Sequence, residues 1–139
     1  MRKKIIFVLL IVMVLMSLFT AYAINGNFVF LYSYAFVDFP ERVLRSLQRS
    51  SGSINVIEII QGGVLIVSHI GMILLPMLYY KYESKKVLII IPLVFLFAQL
   101  SFLTIFGIIL IPFAVIWFIV LYLYKKEIED KSLVEKANG

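Results

Sequence analysis

At 139 residues the chain has room for one compact domain, yet 63% of it is hydrophobic, against roughly 45–50% in soluble proteins. A soluble fold of this size has too little interior to hide so much apolar surface, and the mean hydropathy is +1.04. The chain has no cysteine, which removes disulfides and thiolate chemistry, and its net charge of +5 sits at the ends of apolar runs, which fits anionic headgroups rather than nucleic acid.

Arg2, Lys3 and Lys4 precede an uncharged run over residues 5–24, about the 20 residues that cross a hydrocarbon core of about 30 Å. The same features with Ala21-Tyr22-Ala23 also fit a cleaved signal peptide. The run is longer than a signal core, which favours a retained helix for residues 1–23. Asn25-Gly26-Asn27 marks a turn.

Residues 28–37 carry Phe28, Phe30, Tyr32, Tyr34 and Phe36 at every second position, the period of a strand. Phe28, Tyr32 and Phe36 fit a helix equally well, and both conformations stay open. An aromatic segment at the membrane interface is expected, with a ligand-stacking groove as the alternative. Asp38 as a cap, Pro40 in the first turn and Glu41 beside it predict a helix start. Arg42, Arg45 and Arg49 then share one face, opposite Val43, Leu44 and Leu47. This amphipathic helix is expected to lie on the bilayer with its arginines binding headgroups. It ends at Ser50-Ser51-Gly52-Ser53, so that residues 28–50 form an interfacial segment.

The run over 54–80 is the most informative. It is apolar enough to span, yet it contains Glu58, Gln61, Ser68 and His69. At 100° per residue these fall within about one third of the helix circumference, together with Gly62. Ile57, Ile60, Val64, Val67 and Leu74 form the opposite, lipid-compatible face. Ionisable groups in lipid are expensive and turn inward, so the polar face is expected to meet other helices. Gly62, Gly63 and Gly71 are assigned to close helix packing, and Pro76 to a kink. Glu58 either reaches the interface, pairing with an arginine such as Arg49, or serves with Gln61 as a proton or cation site. His69 lies about 16 Å further along, where it either bonds a neighbouring helix or takes part in a relay.

A charged loop over 81–86 leads into residues 87–124, which carry no formal charge. One helix of that length would be about 57 Å long, nearly twice the hydrocarbon thickness. Two spans, 87–104 and 107–124, are therefore predicted, turning near Thr104–Gly107, with Pro92 and Pro112 in their first two turns. Gln99, Ser101 and Thr104 are candidate partners for the Glu58 face. Trp117 is expected to pack, with its indole N–H in want of an acceptor. Residues 127–139 read as a mixed-charge tail, a short helical extension that frays.

The expected fold is thus an all-α membrane protein, with residues 1–126 forming four transmembrane helices. A short amphipathic interfacial helix occupies the extracytoplasmic loop between the first two. Ten basic residues (Arg2, Lys3, Lys4, Lys81, Lys85, Lys86, Lys125, Lys126, Lys131 and Lys136) lie on one side and Arg42, Arg45 and Arg49 on the other. The positive-inside rule then puts both termini in the cytoplasm, with the plasma membrane as location. No GxSxG, HExxH or nucleotide-binding glycine pattern occurs, so no catalytic residue, metal ligand or cofactor is assigned. The leading expectation is a non-enzymatic protein acting through helix–helix contacts, as an accessory subunit of a membrane complex or an immunity-type protein. Its partners would be anionic lipid and another membrane protein or a second copy of itself. The rivals are an oligomeric ion- or proton-coupled transporter using Glu58 and His69, and a lipid-binding protein working through the three arginines.

Overall fold

The computed structural model describes residues 2–24, 27–48, 56–101 and 107–138. The fold is almost entirely helical. Its elements run α1 (Arg2–Leu18), β1 (Ala21–Ile24), β2 (Asn27–Phe30), α2 (Leu31–Ser33), a π-helical turn (Tyr34–Asp38), α3 (Phe39–Gln48), α4 (Val56–Tyr82), α5 (Lys85–Ser101) and α6 (Gly107–Asn138). Asn25-Gly26, Arg49, Ser50 to Ser53 and residues 104–106 lie outside the described residues, and with them three of the predicted turns.

Helix α1 packs on α4 and α6, α4 on α5, and α5 on α6. One core joins them through Ile6, Leu10 and Met13 of α1, Met72 and Leu75 of α4, Leu88 and Phe95 of α5, and Phe113 and Val120 of α6. A smaller core under the α1–α4 connection gathers Leu31, Ala35, Leu65 and Ala98. Among the described residues one helix, α4, is by itself long and apolar enough to cross a membrane. Helices α1 and α5 have 17 residues each, at the short end of what spans.

The first predicted span, 5–24, is shorter than expected. Ser17 Oγ donates back to the Val14 carbonyl and Thr20 Oγ1 to that of Ser17, both at 2.7 Å. The Phe19 N–H is shared between the Leu15 and Met16 carbonyls. This tightened last turn ends the helix. The chain then pairs Ala21 with Phe30 through Ile24 with Asn27 as an antiparallel hairpin. The Thr20 carbonyl accepts from the Leu31 N–H at 2.9 Å. Residues 27–37 are therefore strand first and helix afterwards.

The expected cap at Asp38 is also corrected. Helical backbone starts at Leu31, and Asp38 lies inside it. Pro40 has no N–H for the Phe36 carbonyl and its ring crowds that group. The preceding turn widens instead, and the Phe39 N–H reaches back five residues to the Tyr34 carbonyl, the pattern of a π-bulge.

At the other end α6 continues as the expected helical extension, running to Asn138. Pairs Lys125–Glu129 and Glu127–Lys131 at i, i+4 support it, and Arg2 ties it to α1 through Asp130. Glu83 gathers the same end. It occupies the left-handed region at φ 44°, usually glycine's place after a helix, and its backbone carbonyl accepts from Tyr124 Oη at 2.7 Å. Its carboxylate accepts from Lys3 and from Lys131. These two hydrogen bonds, Lys3 first, hold the Glu83 carboxyl below the usual carboxylate range. A depressed folded value means that the contribution is complete above the unfolded value of about 4.3. It is lost as pH falls through the lower folded value. In detergent, the unfolding temperature of the native chain should therefore drop more steeply below about pH 4 than that of Glu83→Gln. The difference should be small and shrink with salt, because the pair is exposed.

Candidate functional site

The predicted polar face of α4 is divided by the fold. Ser68 and His69 are buried, Gln61 is half-buried and Glu58 is exposed. Both buried groups bond within their own helix. Ser68 Oγ donates to the Leu65 carbonyl at 2.8 Å, and His69 Nδ1 lies 2.9 Å from the same oxygen. A carbonyl only accepts, so Nδ1 carries the proton and Nε2 presents a lone pair. That Nε2 is buried and has no hydrogen-bond partner among the described residues.

The walls around His69 are aromatic. Phe95 of α5 meets the imidazole edge-on at 5.4 Å between centroids, and Phe36 of the π-helical turn does so at 6.3 Å. The aromatic segment therefore reaches the middle of α4. Phe39, one turn on, is buried over Gly62, and its ring fills the space a Cβ there would need. Gly71 faces Ile91 of α5, whose Cγ2 would stand 3.3 Å from an added Cβ. Gly63 has a different situation: no described atom comes within 4 Å of a Cβ built there. Of the three glycines assigned to packing, Gly62 makes the tightest approach and Gly71 a looser one.

Gln99 of α5 is as buried as His69, and its Nε2 also has no partner among the described residues. Two buried polar atoms of complementary type, an acceptor and a donor, thus lie on adjoining helices. No family model matches this chain, nor does any curated protein or solved structure.

Of the arginines expected at headgroups, the described Arg42 and Arg45 are engaged locally. The Arg42 guanidinium lies over the Tyr34 ring at 5.9 Å, and Arg45 pairs with Glu41 one turn earlier. Both remain exposed. Among the described residues no three His, Asp or Glu side chains converge as a metal site would require.

Sequence reasoning missed Phe36, Phe39 and Glu83. The alternating aromatics gave no sign of which rings turn inward. The i, i+3 spacing of Phe36 and Phe39 immediately before Pro40 is the signal that points to one docking face.

Proposed function

We propose that the chain is a four-span membrane protein that acts through contacts made within the bilayer rather than by catalysis. The observation that carries this reading is the inverted distribution of its surface. Polar Ser17, Thr20, Ser68, His69 and Gln99 are buried, while the four long helices expose apolar side chains along their length. Val8, Ile11 and Leu15 do so on α1, and Ile57, Ile60 and Val67 on α4. Ile90, Val94 and Phe97 continue the belt on α5, and Ile111, Val115 and Phe118 on α6. Water does not tolerate so continuous an apolar surface; lipid does. Helices of 17 residues suffice for a span when flanking Lys and Tyr reach the interface.

The four helices alternate in direction, since the start of α1, the end of α4, the start of α5 and the end of the apolar part of α6 meet around Glu83. Their basic flanks support a cytoplasmic location for that end under the positive-inside rule. With His69 covered by the chain's own phenylalanines, the outward apolar belt is what another membrane protein would touch. An accessory or immunity-type role fits such a surface.

Reporter fusions at the two ends and purification in mild detergent test this reading. Both reporters should report cytoplasm, and a membrane protein of another kind should accompany the chain at fixed stoichiometry. Ends on opposite sides would overturn the four-span layout. A second reading, an oligomeric ion- or proton-coupled carrier, is favoured by one observation, the buried Nε2 of His69 with no hydrogen-bond partner among the described residues. It predicts flux in reconstituted vesicles that Glu58→Gln and His69→Ala abolish; a homo-oligomer with such flux would replace the first reading.

A further inference from the structure

The groove between the beginning of α1 and the end of α4 has no role in the reading above. It encloses about 1160 Å³. Its lining changes character along the helix axes. Lys3 and Lys4 of α1 and Lys81 of α4 stand at the Glu83 end, and one to two turns further in the wall is Phe7, Val8, Leu74 and Met77. At 1.5 Å per residue, Val8 and Met77 lie about 6 Å from the lysine level and Leu74 about 10 Å.

The charges are not self-cancelling. Lys3 is held by Glu83, whereas Lys4 has no acidic partner among the described residues. Lys81 lies over the Tyr82 ring, 5.2 Å from its centroid, a contact with no negative charge, and it too has no acidic partner among the described residues. The apolar wall is likewise uncovered, with Val8 56% and Met77 68% exposed. Cations at the rim and hydrocarbon below follow the order of a phospholipid in the cytoplasmic leaflet, phosphate above acyl chain.

We propose that this groove binds one anionic phospholipid, its phosphate between Lys4 and Lys81 and an acyl chain along Phe7, Val8, Leu74 and Met77. The proposal rests on the membrane-spanning reading. A soluble acidic ligand would match the lysines but leave the apolar wall unfilled. Arg42 and Arg45 lie at the opposite end of the fold, so this is a separate site.

The test uses the full-length chain in mild detergent, titrated with phosphatidylglycerol or phosphatidylcholine, with bound lipid read by native mass spectrometry. Phosphatidylglycerol should be retained over phosphatidylcholine, and Lys4→Gln/Lys81→Gln should weaken that retention by about tenfold or more, the scale of two lysines at a headgroup. Lys85→Gln/Lys86→Gln removes the same charge from exposed positions at the same end that do not line the groove. It should leave the preference within about twofold. Equal loss in both double variants, or an unchanged preference in the first, would overturn the groove as a site. Alkaline carbonate extraction of the source membranes separates this failure from that of the parent reading. A chain that stays with the membrane while the lipid result is negative loses the groove alone, and a chain released to the supernatant loses both.

Discussion

Gly62→Ala should destabilise the protein by about 1–3 kcal/mol, the usual cost of overpacking a filled contact. The added Cβ would fall on the ring of Phe39, which is itself buried and has little room to swing aside. The sign of the effect reverses once the Phe39 ring is removed. In a Phe39→Ala background the obstacle is gone, and alanine is the better helix former by about 1 kcal/mol. There Gly62→Ala should be neutral or stabilising. Gly63→Ala, one residue along the same helix, meets nothing within 4 Å and should stabilise the native chain by about 0.4–1 kcal/mol. Unfolding followed in detergent by circular dichroism measures all four variants. Equal destabilisation by Gly62→Ala in both backgrounds would mean that Phe39 does not rest there.

The Gly62–Phe39 contact matters because it converts a surface segment into part of the bundle. Residues 31–39 are held at three levels: Leu31 and Ala35 in the small core with Leu65 and Ala98, Phe36 on His69 and Phe39 on Gly62. The cationic half of α3 lies beyond this anchor, with Arg42 and Arg45 outward. Anchoring below and charge above is the arrangement that keeps an amphipathic helix at a fixed depth in an interface. It also covers part of the polar side of α4, His69 and the Gly62 turn, without a further helix.

What the sequence discloses about this fold follows from periodicity. The 3.6-residue period of α4 separates Ile57, Ile60, Val64, Val67 and Leu74, all exposed, from Ser68 and His69, both buried. Glu58 shares the wheel sector of His69 yet is exposed, because it lies in the first turn of the helix, where the bundle offers no covering neighbour in the described residues. Period alone gives direction around a helix and says nothing about depth along it. The end of α1 was hidden for a related reason. Ala21 to Ile24 are as apolar as the helix before them, and the hydroxyls of Ser17 and Thr20 that close the last turn are too ordinary to mark a boundary. Long-range ties are less legible still. Glu83 reads as one charge in a charged loop, and only folding brings Lys3, 80 residues away, and Lys131, 48 residues away, to its carboxylate.

Trp117→Phe should cost about 1–3 kcal/mol, the penalty for leaving a buried carbonyl unpaired, and Pro92 is the reason. A helical carbonyl at Leu88 would normally accept from the N–H of residue 92, but proline has none. Trp117 of α6 supplies the missing donor: its Nε1 lies 2.8 Å from the Leu88 carbonyl oxygen, and the side chain is 7% exposed. The notional defect in one helix thus becomes a directed bond to another. In lipid, where no water substitutes, such a repair is what allows a proline inside an apolar helix. Pro92→Ala restores a local donor, and in that background Trp117→Phe should cost less than about 1 kcal/mol, since only the change in ring volume remains. The four corners of this cycle, measured by thermal unfolding in the same detergent, give the coupling directly. Were Trp117→Phe equally costly with and without Pro92, the indole would be serving as bulk, and the α5–α6 contact would rest on Phe95 and Phe113, whose rings meet at 5.1 Å.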